Sequence, residues 1–306
     1  MDKLKIVVTG ASGFLGSHLV RRLAAEQYQV VALVRATSDL RRIADLLGQV
    51  ELVFLDQEPL HALLHRLKPA AIVHTAVDYG HAERSWSAMV EVNVLLGVRL
   101  VEAALSAGVR HFVNAGSALP PEVSPYALSK YQFSEWLRRI AEGTAIRVAD
   151  VALEAIYGEG QDERHFIPCV IRACLLNVER LPLTAGEQQR DFVYIEDVVE
   201  AFVRLVRHYF QAGANASSYT RYPLGSGYAS RIRDVASTIH RLTKSRTHLD
   251  FGAVPYRSHE AMFSQADLSA WHTIGWRPRY PLEEGLLRTI AWWQKHLPLQ
   301  GERCAG

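Results

Sequence analysis

Apolar positions in the first half of the chain fall into short, nearly continuous runs at Leu4–Thr9, Gln29–Val34, Glu51–Phe54, Ala71–His74, Val109–Asn114 and Ala145–Val151. Brief runs of this kind, rich in β-branched residues, predict buried strands. Between them apolar residues recur at helical spacing, as at Leu15, Leu19 and Leu23. Strands alternating with helices predict an α/β fold built on a parallel, doubly wound sheet. Ser124 suits an N-cap and Pro125 the first helical position, so a helix starts there and runs through Leu137 toward Ile140. A second helix is expected from roughly Glu83 to Ala107. Beyond Tyr157-Gly158 the rhythm loosens, with helices near Arg164–Asn177, Glu196–His208, Ile232–Leu242 and Leu282–His296 and a polar loop from Ala214 to Ser218. This half reads as a smaller, mostly helical lobe capping the carboxyl edge of the sheet.

A chain of 306 residues, 49% hydrophobic, can bury one large core or two lobes sharing a cleft. Its formal charge of +2 is mild and no basic run appears, which argues against a nucleic-acid partner. Cys169, Cys174 and Cys304 lack zinc-ligand spacing; the first two read as buried thiols and the third as part of a loose tail. Thirteen histidines form no HExxH pattern, so no metal is expected. Met1-Asp2-Lys3 leads straight into the first strand and no stretch reaches membrane-spanning length, so a soluble, cytoplasmic protein is expected.

Chemistry enters at two motifs. Gly10-Ala11-Ser12-Gly13-Phe14-Leu15-Gly16 follows the first strand and opens a helix, the order a dinucleotide-binding βαβ unit requires. Three glycines alone could be only a flexible turn. In this context Gly10 suits the tight turn, Gly13 the approach of backbone to a pyrophosphate, and Gly16 close helix–strand packing. Amides of the loop and first helical turn, from Ser12 through Phe14 and Leu15, would meet the phosphates. Downstream, Tyr126 and Lys130 lie one helical turn apart. An ammonium beside a phenol favours the phenolate and would lower the tyrosine pKa from about 10, as acid–base work at a carbonyl or alcohol requires.

The residues after the second strand bear on the cofactor. A unit selecting NAD places Asp or Glu roughly twenty residues beyond the glycine loop. Here the chain reads Val34-Arg35-Ala36-Thr37-Ser38. Arg35 and the hydroxyls of Thr37 and Ser38 would bind a 2′-phosphate that a carboxylate would repel, so NADP(H) is favoured over NAD(H). The alternative is a solvated Arg35, with Asp39 merely capping a helix toward Leu47.

Gly-x-x-Gly-x-x-Gly with Tyr-x-x-x-Lys downstream resembles the short-chain dehydrogenase/reductase superfamily. Its extended branch, the Rossmann-fold nucleotide-sugar epimerases, dehydratases and reductases, fits best. The resemblance extends to His74-Thr75-Ala76, Asn93, Phe112 to Ala118, Arg190 to Val198, and the tail from Ala266-Asp267-Leu268 to Leu286. It implies a turn under the cofactor at Thr75 and Ala76, a structural and cofactor-side role for Asn93, and the catalytic serine at Ser117. Asp56 resembles a position that contacts adenine; an exposed turn carboxylate is the plain alternative. Arg190 and Arg257 match two arginines that hold a nucleotide diphosphate, or are surface ion-pair partners. The resemblance also implies that 188–222 returns to the cofactor domain of 1–155, leaving 156–187 and 223–306 for substrate. The helices near Glu83–Ala107 and Pro125–Ile140 would form a homodimer face.

Departures from the family pattern narrow the reaction. Ser117 is followed by Ala118-Leu119-Pro120, without the acidic pair that dehydratases use. Val151 to Gly158 replaces an Arg and an Asn usually found before the Tyr-Gly. Glu154 stands there near the cleft, as a solvent-facing carboxylate or an arginine's partner. His81, His165, Trp86 and Tyr157 could face substrate, although packing is the plainer role of each. Together these features predict NADPH-dependent reduction of a nucleotide-linked 4-keto-6-deoxyhexose, with Ser117, Tyr126 and Lys130 as the catalytic set. The alternatives are a nucleotide-sugar 4-epimerase with tightly held NAD, and a non-catalytic NAD(P)-sensing protein.

Overall fold

The computed structural model describes residues 3–80, 85–211 and 217–297. His81, the start of the expected 83–107 helix, most of the 214–218 loop and Cys304 lie outside the described residues.

The first half alternates strand and helix: β1 (Lys5–Thr9), α1 (Phe14–Ala25), β2 (Gln29–Val34), β3 (Glu51–Phe54), α2 (Leu60–Leu67) and β4 (Ala71–His74). Next come α3 (Trp86–Val90), α4 (Leu96–Ser106), β5 (His111–Ser117), α5 (Pro125–Glu142) and β6 (Arg147–Leu153). The second half adds β7 (Ala155–Tyr157), α6 (Phe166–Leu175), β8 (Arg180–Leu183), β9 (Gln189–Tyr194), α7 (Ile195–Gln211) and β10 (Tyr219–Leu224). The described chain closes with β11 (Ala229–Arg231), α8 (Ile232–Thr243), β12 (His248–Phe251) and α9 (Leu282–His296).

Seven strands form one sheet in the order β10-β6-β5-β4-β1-β2-β3, and every pairing in it is parallel. A parallel sheet is covered on both faces, which is why its strands read as unbroken apolar runs rather than alternating ones. Ile6 and Val8 enter a core with Leu19 and Leu23 of α1 and Val198 and Phe202 of α7. Val7, from the opposite face, joins Leu63 of α2, Leu100 of α4, and Phe133 and Leu137 of α5. Strand order reverses between β1 and β4, so a crevice opens there at the carboxyl ends of the strands.

Several expectations need correction. β5 and β6 begin and end about two residues later than the apolar runs suggested, because their ladder continues through Asn114↔Asp150 to Ser117↔Leu153. Those two polar residues satisfy one another inside the sheet, Asn114 Nδ2 donating to Asp150 Oδ1 at 2.7 Å. The segment after Asp39 is a short 3-10 turn, Arg41–Leu46, rather than an α-helix. Between α3 and α4 the helix widens into a π turn over Glu91–Leu95. The second half is less helical than expected, carrying a three-stranded sheet, β11-β9-β7, and the parallel pair β12-β8. Cys174 is buried but Cys169 is exposed, since it lies off the apolar face that Ile167, Val170, Ile171 and Cys174 share on α6.

Candidate active site

The glycine loop joins β1 to α1 in a confined space. Gly10 adopts φ +64°, and a Cβ there would meet the Ala76 backbone nitrogen at 2.7 Å. Gly16 allows the close approach of α1, because a Cβ would lie 2.1 Å from the Gly10 carbonyl oxygen. Gly13 donates its N–H to Gly10 O at 2.9 Å and stands exposed at the helix start, with Ser12 and Phe14 half-buried and Leu15 buried around it. Thr75 and Ala76 close the other side of the crevice. The Thr75 hydroxyl donates to Thr9 O at 2.7 Å, and His74 Nδ1 meets Thr9 Oγ1 at 2.7 Å. Burial and the nearby Lys130 charge push His74 down to about 3, so its imidazole is neutral.

Helix α5 presents the acid–base pair. The Ser124 side chain caps it by accepting from Ala127 N at 3.1 Å, and Pro125 occupies its first turn. Tyr126 is half-buried, and its ring packs on Tyr79 with centroids 5.0 Å apart. Tyr79 in turn meets His165 edge-on at 5.4 Å. Lys130, one turn further, is only 2% exposed. Among the described residues no hydrogen bond reaches its ammonium. A buried cation lacking hydrogen-bond partners is costly, and ribose hydroxyls would relieve that cost. The confined glycine turn and this ammonium therefore fit a dinucleotide.

Buried Asn93 ties the crevice to α5. Its Oδ1 accepts from Asp78 N at 2.7 Å, while its Nδ2 donates to Asp78 O at 2.8 Å and to Ser129 Oγ at 2.9 Å. Ser129 Oγ donates to the Tyr126 carbonyl at 2.7 Å, so the π turn carrying Asn93 fixes the first turn of α5.

Ser117 is the last residue of β5; its Oγ accepts from Leu119 N at 3.2 Å, and its side chain acts to lower the Tyr126 pKa. Beneath it lies an Asp150 carboxylate with no solvent exposure. Tyr219 OH donates to Asp150 Oδ2 at 2.9 Å; Arg221 lies 3.6 Å from the same oxygen and donates to the Ser117 carbonyl at 3.1 Å. Gly116 makes room for the carboxylate, since a Cβ there would sit 2.7 Å from Asp150 Oδ1.

The electrostatics differ from the expected acidified phenol. Burial is the leading influence on Tyr126 and raises its pKa well above the ordinary value; Tyr79 adds to the rise and Ser117 opposes it. Lys130 itself is pushed down to about 8 by burial, against the pull of Asp150. Withdrawing a phenolate from water outweighs the neighbouring ammonium, so the tyrosine stays a phenol.

At the second-half end of the cleft Arg190 is largely buried and donates to Glu260 Oε1 at 2.5 Å and to Gln189 O at 2.9 Å. Glu260 N donates to Arg257 O at 3.1 Å, so the turn that carries Arg257 also supplies the carboxylate that holds Arg190. The Arg257 side is exposed. Among the described residues Glu154 is paired with no arginine, contrary to one expectation; its oxygens accept from Ser264 Oγ at 2.8 and 2.7 Å.

Other candidates separate. Arg35 is exposed at the end of β2, its N–H donating to Ser38 Oγ at 3.0 Å. It borders a cavity of about 650 Å³ between α2 and α4, with Leu55, Pro59 and Leu96, away from Tyr126. Asp56 is an exposed residue after β3. Tyr157 is 1% exposed and donates to Leu282 O at 3.1 Å, which makes it core, and Trp86 is 78% exposed at the start of α3. Sequence reasoning did not single out Tyr79, Asp150 or Arg221. A lone aspartate inside the apolar run of β6 was the available signal for Asp150.

Known proteins resemble this chain over nearly its whole length. The chain is 29% identical over 295 residues to CDP-abequose synthase of Salmonella muenchen, covering 94% of this chain and 97% of that protein. It is 30% identical over 315 residues to UDP-glucose 4-epimerase of Mycolicibacterium smegmatis, covering 94% and 97%. The structure of MoeE5 in complex with UDP-glucose and NAD superposes with a TM-score of 0.81 at 28% identity, covering 95% of this chain and 99% of that one. The model of the NAD dependent epimerase/dehydratase family matches residues 6–219. The chain belongs to that family, and is thereby an NAD(P)-dependent enzyme of the extended short-chain dehydrogenase/reductase type.

Proposed function

We propose that the chain is an NADPH-dependent reductase that converts a nucleotide-linked 4-keto-6-deoxyhexose, carried on CDP or dTDP, to the 4-hydroxy sugar. The observation that supports this reading is the placement of Ser117 at the end of β5, next to β4 and the glycine-loop strand β1, with Tyr126 and Lys130 on the first turns of α5, which packs on β5. A phenol is the form that gives a proton, which suits reduction. The bound cofactor supplies hydride to the substrate carbonyl carbon. Tyr126 delivers its hydroxyl proton to the carbonyl oxygen, and Ser117 donates a hydrogen bond to the same oxygen as charge develops. Lys130 holds the nicotinamide ribose. The Arg190 and Arg257 turn binds the diphosphate through permanently charged guanidinium groups.

Support for the substrate class comes from relatives named for CDP-abequose and UDP-glucose and from MoeE5 with UDP-glucose. Support for NADPH is the exposed Arg35 in a segment, Val34 to Ser38, that lacks a carboxylate. MoeE5 holds NAD, so Arg35→Asp is the direct test: it should move preference toward NADH, and an unchanged cofactor ratio rejects the role of Arg35. The cofactor half is assigned to 1–155 with 188–222 and the substrate half to 156–187 with 223–306, in a cytoplasmic homodimer.

A 4-epimerase is the second reading, favoured by the 30% identity to the Mycolicibacterium enzyme. Incubating the protein with NADPH and CDP-, dTDP-, GDP- and UDP-linked 4-keto sugars separates the two. Reduction predicts loss of NADPH absorbance with formation of a 4-hydroxy product, whereas epimerisation consumes no NADPH. Tyr126→Phe should lower turnover by roughly 10²–10⁴ with cofactor affinity nearly intact; full activity would reject the proton-donor role.

A further inference from the structure

Glu154 is a carboxylate with spare hydrogen-bonding capacity at the carboxyl edge of the sheet. It follows Leu153, the β6 partner of Ser117, and its N–H donates to Leu224 O at 2.9 Å. Its side chain is half-buried, and both oxygens lie within 2.8 Å of Ser264 Oγ. One hydroxyl has one proton to give, while an ionised carboxylate offers about four acceptor sites. Nearby acids are served differently. Asp191 accepts from Ser226 N, Ser226 Oγ, Gly227 N and Ala266 N, and Glu260 holds Arg190. Arg190 is felt at Glu154 but is committed to Glu260, and the Asp191 charge opposes it. Burial raises the Glu154 pKa, as an under-satisfied carboxylate predicts.

The position of this group is as informative as its capacity. Glu154 stands one residue beyond the β6 partner of Ser117 and close enough to Arg190 to feel its charge, at the strand ends where an open parallel sheet binds its ligand. We propose that Glu154 is a specificity-determining residue that accepts a hydrogen bond from a hydroxyl of the nucleotide-linked sugar and excludes sugars bearing a carboxylate at that edge. This rests on the nucleotide-sugar reading above.

The test is calorimetric titration of cofactor-loaded protein with UDP-glucose and with UDP-glucuronate, which share a base and differ in the acidic group. The wild type should prefer UDP-glucose by at least about ten-fold, since a like-charge juxtaposition is strongly disfavoured. Glu154→Gln keeps the shape and removes the charge, and the ratio should collapse toward one. Glu154→Ala should do the same while weakening UDP-glucose itself. Binding of both ligands with a ratio unchanged in the two variants overturns the proposal alone. Failure of the wild type to bind CDP-, dTDP- and UDP-glucose alike overturns the nucleotide-sugar reading and the proposal with it.

Discussion

Lys130 and Tyr126 were legible in the chain as two residues one helical turn apart, but their protonation behaviour was not. That depends on enclosure, which comes from residues remote in sequence: Tyr79 packs on the phenol, and Asp150 acts on the ammonium from β6. Arg221, which holds the Ser117 carbonyl, is 104 residues away from it. With the Lys130 pKa depressed to about 8, the ammonium is present below that pH and lost above it. NADPH affinity, followed by cofactor fluorescence, should fall as pH rises through about 8, and Lys130→Met should bind weakly at every pH. An affinity flat from pH 6 to 10 would contradict the assignment. Stability has its own sign. From about 8 up to the ordinary lysine value the unfolded chain carries the proton that the folded one has lost, so the cofactor-free protein should gain stability with rising pH there. Lys130→Met should remove that slope in denaturant titrations.

At the scale of elements, the long apolar strands and capped helices of the first half could be read because burial on both faces leaves an unbroken hydrophobic run. β7, β8, β11 and β12 escaped detection. Each spans three or four residues with half-exposed positions, too short for a period to register. β9 was recognised only as the motif around Arg190. Where helix meets strand, the glycine positions make a sharp prediction. Gly16→Ala would drive a methyl into the Gly10 carbonyl, so the β1–α1 turn must open. Lower thermal stability together with loss of NADPH binding is expected; an unchanged melting curve would show that the loop is not packed this tightly. Ser124→Ala removes the cap of α5 and should cost about 1 kcal/mol of stability in denaturant unfolding, within the usual range for a lost N-cap.

At the scale of the whole molecule, the seven-stranded sheet sets β1, β4 and β5 side by side, and Arg190 of β9 lies close enough to Glu154, after β6, for its charge to act on that carboxylate. Among the described residues no helix is long and apolar enough to cross a membrane. Trp86 and Val90 of α3 and Leu128, Tyr131 and Trp136 of α5 are exposed, and the two helices pack against each other. A homodimer through this face is expected, so Trp136→Arg should shift the protein to monomer in sedimentation; a monomeric wild type would contradict it. The reaction itself is tested most directly with NADPH deuterated at both C4 positions of the nicotinamide and a nucleotide-linked 4-keto-6-deoxyhexose. The account predicts one deuterium at the new carbinol carbon for each NADPH consumed, and almost none with Tyr126→Phe. A 4-hydroxy product without deuterium, or keto sugar left unreacted with no NADPH loss, would contradict it.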